Sequence, residues 1–376
     1  MIPVYEPWTT ELEQQYVNEC LETNWISSQG KFVGEFERLF SDCVDCSHGI
    51  ATASGTVALH LALEALGIGE GDEVIVPNLT FIATVNAVRY TGADPVPVDV
   101  DEHSWGLDPD RVADAVTDRT RVIIPVHLYG YPCDMRALGE VASTHDLLVI
   151  EDAAQAHGSK INGRPLGGVG KVGIFSFYGN KTLTTGEGGM VVTDDPEVAA
   201  TCRSLRDHAM DESQRYVHHR VGYNYRMTNM QAAVGVAQLE RREEIFQRKR
   251  DMEAAYRSFL DGNDNLTFCA PVAGSDVVPW MAAIRTDSAA SAQRVANHLE
   301  GEGVETRPFF VPIDRQRPYA DVSTADGNIS ARLSEQGVLL PSSPTLARDD
   351  IREISRAVEA ALRDVGADRQ PGPGSR

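Results

Sequence analysis

One lysine stands in a turn whose residue types suit amine chemistry. The pattern over 173–190 predicts a short apolar strand and then a turn of small residues that contains Lys181, and a second strand follows from Met190 to Thr193. Because neighbouring backbone crowds a lysine in such a turn, we expect partial desolvation to lower its pKa and to favour the neutral amine that Schiff-base formation needs. On this segment alone, a loop lysine whose ammonium points to water remains an alternative.

A carboxylate follows a buried strand upstream of that turn. The run Leu147–Ile150 is continuously apolar, which is typical of a strand buried on both faces, and Asp152 comes at its carboxyl end. Open α/β sheets bind ligands at the carboxyl ends of their parallel strands. An acid there, on a strand separate from the lysine, suits a pyridoxal phosphate (PLP) site, where it would keep the pyridine nitrogen protonated. The simpler alternative is that Asp152 only caps the following helix.

Two further features would complete a site of this kind. Ser54, Gly55 and Thr56 precede a run with helical spacing, and free backbone N–H groups at a helix start can bind a phosphate. Phe81 follows the predicted strand Val74–Val76, where its ring could stack on a flat cofactor. An ordinary N-cap and a core phenylalanine are the alternatives.

Composition limits the class of protein. A chain of 376 residues exceeds the usual size of one core, so we expect two domains, and its net charge of −21 argues against nucleic acid or an anionic membrane as partner. Six scattered cysteines without a signal peptide predict a cytoplasmic protein, and no apolar run is long enough for a membrane span. Cys43 and Cys46 lack a second pair at zinc-finger spacing, so no metal site is predicted. The glycines at 167–170 do not match the dinucleotide fingerprint, which disfavours an NAD enzyme.

The order of elements predicts the architecture. Strands alternate with helical runs from 50 to 200, which indicates an α/β domain with a mostly parallel sheet. A long helical pattern over 230–260 leads to a smaller α+β unit with strands near 277–285 and 304–307 and helices after 289 and over 350–362. We therefore predict an N-terminal arm (1–15), a large ligand-binding domain (16–245), a small C-terminal domain (246–366) and a disordered tail (367–376).

Taken together, the motifs resemble those of a known family. Ser54-Gly55-Thr56, the segment 151–158 (EDAAQAHG), Ser176-Phe177 with Lys181, and the segment 186–189 (GEGG) are similar to the DegT-type nucleotide-sugar aminotransferases. These belong to the fold type I, aspartate-aminotransferase-like PLP enzymes. The likeness runs from about Pro3 to Val365 and implies a homodimer whose active site is shared between subunits.

The resemblance also implies roles for individual residues. PLP would be covalently attached to Lys181, with pyridoxamine phosphate as an intermediate, and the pyridine nitrogen would contact Asp152. The further cofactor contacts implied are Gln155 beside the ring, Phe81 stacked on it, Gly55, Thr56 and Ser176 at the phosphate, and Asn224 at the phosphate of the neighbouring subunit. Ser27, Ser28 and Asp314 are the predicted substrate contacts. Asp314 stands where relatives usually carry histidine, and its charge would repel the pyrophosphate of a sugar nucleotide.

The implied reaction is transfer of the amino group of L-glutamate to a nucleotide-linked keto-deoxysugar. A lysine at 181, where some relatives carry a histidine and catalyse dehydration, favours transamination. The segments 25–28, 177–182, 206–208 and 221–229 resemble those of family members that act on GDP-4-keto-6-deoxymannose, and this likeness implies the same acceptor. Another UDP- or dTDP-linked 4-keto sugar, a 3-keto sugar, or a PLP-binding regulatory protein without turnover remain alternatives.

Overall fold

The computed structural model describes residues 1–211, 213–322 and 327–363. The helices in this part of the chain are α1 (Glu11–Glu22), α2 (Lys31–Cys43), α3 (Gly55–Ala65), α4 (Ala83–Tyr90), α5 (Pro109–Ala115), α6 (Met135–Thr144), α7 (Pro196–Arg206), α8 (Asn229–Glu240), α9 (Arg242–Leu260), α10 (Ala289–Gly301), α11 (Ile329–Gln336) and α12 (Arg348–Arg363). The strands are β1 (His48–Thr52), β2 (Glu73–Pro77), β3 (Asp94–Val98), β4 (Thr120–Ile123), β5 (Leu148–Asp152), β6 (Lys160–Ile161), β7 (Arg164–Pro165), β8 (Val172–Ser176), β9 (Gly189–Thr193), β10 (Leu266–Phe268), β11 (Ser275–Asp276), β12 (Ala282–Thr286), β13 (Arg307–Pro308) and β14 (Gly337–Leu340).

A seven-stranded sheet forms the centre of the larger part of the fold. Its strand order is β1-β9-β8-β5-β4-β2-β3, and β9 runs antiparallel to both of its neighbours while the other pairs are parallel. The predicted mixed, mostly parallel α/β sheet is therefore confirmed. Because β5 and β8 are parallel neighbours with Asp152 opposite Ile174, their carboxyl ends reach the same edge of the sheet.

Helices cover both faces of this sheet because its strands carry apolar side chains on both sides. Val74 and Val76 pack into one core, which contains apolar residues of α3, α4 and α7. Ile75, between them, packs into the other core with residues of α2, α5, α6 and α8. Alternation of side chains along a strand produces this division.

A second, antiparallel sheet lies towards the C-terminus, with strand order β10-β12-β14-β13. It packs with α10 and α12 around a separate core. The connecting helix α9 contributes Ile245 and Phe246 to a core of the large sheet and Met252 and Tyr256 to this second core. The domain boundaries remain a prediction, and the predicted disordered tail lies outside the described residues.

The structure corrects two details of the predicted elements. The helical pattern over 230–260 is not one helix, because α8 ends at Glu240 and α9 begins at Arg242. At the break, the Arg241 guanidinium donates to the hydroxyl of Thr10 at 3.2 Å and to the buried carboxylate of Glu13 at 3.3 Å. The strand expected over 304–307 is limited to Arg307–Pro308. The N–H of Val304 instead donates to the carbonyl oxygen of Leu299 in α10, at 2.9 Å.

Candidate active site

The carboxyl edge of the central sheet brings the chemically active residues together. Asp152 is the last residue of β5, and Ser176 is the last residue of the adjacent β8. The turn that contains Lys181 follows β8 directly and returns to the sheet as β9. These residues line one cavity of about 430 Å³.

Most of the predicted cofactor contacts line this cavity. From the predicted set, the lining includes Gly55, Thr56, Phe81, Asp152, Gln155, Ser176 and Lys181. Trp280, Arg307, Pro308 and Phe310 close the cavity from the C-terminal part of the chain. The site therefore lies between the two sheets.

Lys181 has the environment that an amine nucleophile needs. Burial lowers its pKa to about 8, although the nearby Asp152 carboxylate opposes the shift. Its Nζ lies 3.8 Å from the centroid of the Trp280 ring. The neutral amine that Schiff-base chemistry requires is therefore more accessible at neutral pH than in an exposed lysine.

Asp152 is a buried carboxylate with fixed orientation. The Thr84 hydroxyl donates to its Oδ2 at 2.7 Å, and the Ala154 N–H donates to its Oδ1 at 3.2 Å. Burial raises the pKa of Asp152, whereas these two hydrogen bonds and the charge of Lys181 lower it. A buried acid oriented in this way can pair with a protonated ring nitrogen.

The start of α3 forms a small cradle opposite the end of β8. A Cβ added to Gly55 would lie 2.7 Å from the Cβ of Ser176, so a side chain at position 55 would fill the gap. Ser54 caps the helix, and its Oγ accepts the N–H of Val57 at 3.4 Å. The N–H groups of this first turn and the hydroxyls of Thr56 and Ser176 are a donor set suited to a phosphate.

Two side chains could flank a planar ring in the cavity. Phe81 leaves 53% of its surface exposed, and its ring centroid lies 5.7 Å from that of Phe310. Gln155 is buried, and its amide oxygen accepts the Tyr129 N–H at 2.8 Å, which fixes the orientation of the amide. The buried acid, the amine, the phosphate cradle and the flanking groups fit PLP.

Four predicted site residues do not line the cavity. Asn224 is exposed on a loop, and its amide oxygen accepts from the Arg226 guanidinium at 3.0 Å. Ser27 and Ser28 lie in the loop between α1 and α2. Asp314 lies in a 3-10 turn held beside the end of β2, where its N–H donates to the Asn78 side-chain oxygen at 3.1 Å. Their roles remain predictions.

The prediction from sequence missed three residues that contact the site. Thr84 follows Phe81 by three residues at the same sheet edge, so its position was a usable signal for the hydrogen bond to Asp152. Trp280 and Tyr5 lie far from Lys181 in the chain. No local pattern marks them, because only the packing of the C-terminal part and the N-terminal arm against the lysine turn brings them there.

Among the described residues there is neither a cluster of metal-ligating side chains nor a membrane-spanning helix. No group of three or more histidine, cysteine or acidic side chains among them is arranged to hold a metal ion. None of the helices within 1–211, 213–322 and 327–363 is long and apolar enough to cross a membrane.

A lysine and a buried acid at the carboxyl edge of a mostly parallel sheet, beside a phosphate cradle, define a fold type I PLP enzyme. The family described as DegT/DnrJ/EryC1/StrS aminotransferases matches residues 7–359. The chain therefore belongs to this family and is a PLP-dependent aminotransferase, which confirms the predicted resemblance, cofactor and reaction class.

Similar proteins cover nearly the whole chain. GDP-perosamine synthase of Caulobacter vibrioides is 45% identical over 365 residues, which span 96% of this chain and 98% of that protein. GDP-perosamine synthase of Escherichia coli O157:H7 is 42% identical over 365 residues, which span 96% of this chain and 99% of that protein. The crystal structure of S. venezuelae DesV in complex with a ketimine intermediate matches with a TM-score of 0.88 and 37% identity, covering 96% of this chain and 95% of that chain.

Proposed function

We propose that the protein transfers the amino group of L-glutamate to GDP-4-keto-6-deoxymannose and so forms GDP-perosamine. The observation that carries this proposal is the 42% and 45% identity to two GDP-perosamine synthases over 96% of the chain. The cavity supports it, because the amine of Lys181 and the acid of Asp152 share a space of about 430 Å³. Both substrates would react there in turn.

The chain's own residues would hold the cofactor. When bound, PLP supplies a carbonyl that forms imines with amines and a pyridinium ring that withdraws electrons from the adjacent carbon. The Asp152 carboxylate would keep the proton on the ring nitrogen. The N–H groups at Gly55 and Thr56, with the Ser176 hydroxyl, would bind the phosphate.

Lys181 would act both as covalent anchor and as proton carrier. Once free of its anchoring bond, the Lys181 Nζ would take the proton from the glutamate α-carbon and pass it to the cofactor. Water would supply the carbonyl oxygen of the departing 2-oxoglutarate, and the amino group would be retained. In the second half-reaction the C4 carbonyl oxygen of the sugar would leave as water when C4 accepts the nitrogen. The same Nζ would return the proton from the cofactor to C4 and then re-form its anchoring bond.

A panel of nucleotide-linked keto sugars tests the acceptor. The enzyme in its pyridoxamine phosphate form is mixed with stoichiometric GDP-4-keto-6-deoxymannose, a dTDP- or UDP-linked 4-keto sugar, or a 3-keto sugar, and the amino sugar is identified by mass spectrometry. We expect one equivalent of GDP-perosamine per site and much slower reaction with the others. Preferential amination of another sugar would contradict the proposed acceptor while leaving the reaction class intact.

We also propose that the enzyme is a homodimer in which Asn224 completes the neighbouring site. Asn224 is exposed and does not line the cavity of its own chain, which agrees with a role in another subunit. Mixing inactive Lys181→Ala and Asn224→Ala chains should restore up to about a quarter of wild-type activity, because half of the dimers would be mixed and each would hold one intact site. Absence of restored activity in verified mixed dimers would contradict a shared site.

A cytoplasmic location is part of the same proposal. The thiols of Cys20, Cys43, Cys46, Cys133, Cys202 and Cys269 are unpaired in the structure. Unpaired thiols are typical of a reducing compartment. Fractionation of the producing cells tests this, and recovery of the protein outside the cytoplasm would contradict it.

A further inference from the structure

The amine of Lys181 rests against an aromatic face. Its Nζ lies 3.8 Å from the centroid of the Trp280 ring, and Trp280 is 5% exposed. A cation over the face of tryptophan is attracted by the ring quadrupole, and the attraction is stronger when water is excluded. The ring therefore favours the ammonium form of Lys181, whereas burial favours the neutral form.

Aromatic side chains also hold the backbone of the lysine turn. The indole N–H of Trp280 donates to the carbonyl oxygen of Asn180 at 2.5 Å. The Tyr5 hydroxyl donates to the carbonyl oxygen of Lys181 itself at 2.8 Å. Two consecutive carbonyls of the turn are thus tied to residues of the C-terminal part and the N-terminal arm.

A second buried lysine supports both aromatic residues. Lys249 is fully buried in α9, and its Nζ donates to the backbone carbonyls of Trp280, at 2.8 Å, and Ser342. The same Nζ lies 5.0 Å from the centroid of the Tyr5 ring. Because three partners fix the Lys249 side chain, it restrains the backbone of Trp280 and packs against Tyr5.

We propose that the Trp280 ring is the docking site of the Lys181 amine whenever the amine is not bonded to the cofactor. The inference rests on the proposed function, since the transamination cycle releases the lysine in each half-reaction. The docked ammonium is the state that Lys181 reaches after taking a proton. Tyr5 and Lys249 act as positioning residues, because Tyr5 holds the backbone of the lysine turn and Lys249 holds the backbone of Trp280.

Other titratable groups around Lys181 do not duplicate this role. Asp152 faces it from β5 and attracts its charge. His157 is buried and neutral at physiological pH, because burial lowers its pKa to about 3. Glu187 and Arg307 line the same cavity from the lysine turn and from β13. All four of these side chains are still present in a protein in which Trp280 is substituted.

The test measures the Lys181 amine in the cofactor-free protein. Acylation by acetic anhydride is followed against pH, with the modified fraction of Lys181 and of Lys249 quantified in the same peptide digests. In Trp280→Leu, loss of the ring should lower the titration midpoint of Lys181 by about 0.4–1.5 pH units. Trp280→Phe keeps a weaker aromatic face and should give a smaller shift in the same direction, and it also serves if the leucine variant does not fold.

The sign of the shift separates docking from packing. If Trp280 only excluded water, its removal would hydrate Lys181 and raise the midpoint. An unchanged or raised midpoint in both variants would overturn the proposal. No sugar or glutamate enters this experiment, so its failure would be distinguishable from failure of the proposed reaction.

Discussion

The hydroxyl of Thr84 offers a sharp test of how the site keeps Asp152 ionised. It donates to Asp152 Oδ2 at 2.7 Å and is itself 3.1 Å from the hydroxyl of Thr80. Thr84→Val removes this donor with little change of volume. A hydrogen bond to a charged group contributes about 1.5–3 kcal/mol, which corresponds to about 1–2 pKa units.

The sign of the effect follows from the direction of the Asp152 pKa. Burial already raises that pKa, and Thr84 is one of the groups that oppose the rise. Loss of the hydroxyl therefore raises the pKa further, and the acid becomes protonated at a higher pH. Because pairing with the ring nitrogen needs the carboxylate, PLP affinity should fall as the pH falls through this value.

Equilibrium dialysis of PLP against pH measures the effect. The acid limb of the affinity profile should move upward by about 1–2 pH units in Thr84→Val. Thr84→Ser is the matched control, because it keeps the hydroxyl and should leave the limb in place. Coincident acid limbs for Thr84→Val and wild type would refute the proposed role of Thr84.

Three further predictions concern the amine and the phosphate cradle. Lys181→Ala should bind PLP without covalent attachment and should not turn over, and normal turnover by this variant would refute the assignment. Gly55→Ala should weaken PLP binding about tenfold or more, because its Cβ would lie 2.7 Å from that of Ser176; Gly34→Ala, where no atom lies within 4 Å, is the control, and equal affinities would contradict the cradle. The rate of covalent PLP loading should rise with pH and level off above about 8, because burial lowers the Lys181 pKa to about 8 and only the neutral amine reacts; stopped-flow absorbance measures it, and a rate independent of pH between about 6 and 9 would be the opposite result.

Sequence patterns predicted the parts of the site that depend on local structure. Asp152 was predicted because an apolar strand precedes it and parallel strands present their carboxyl ends at one edge, and it lines the cavity. Gly55 and Thr56 were predicted because hydroxyl and glycine residues are typical of a helix start, and they line the same cavity. The resemblance to a family added Gln155 and Ser176, which line the same cavity.

Contacts between distant segments could not be predicted in the same way. Trp280 reaches Lys181 only because β12 and the segment before it pack against the end of the large sheet. The helical pattern over 230–260 concealed a break, since Arg241 leaves the helix while its side chain bonds to the buried Glu13 of α1. Helix propensity along the sequence does not report such contacts with a different helix.

Lys181 is the predicted anchor of the cofactor, and trapping of the covalent bond can identify the anchoring residue. The PLP-loaded protein is reduced with borohydride, digested and mapped by mass spectrometry. Lys249 is an informative competitor, because burial lowers its pKa to about 7 and so favours a neutral amine there too. We expect one pyridoxyl group per chain on the peptide that contains Lys181. A label on Lys249, or no label in protein that retains PLP, would contradict the assignment of Lys181 as the anchor.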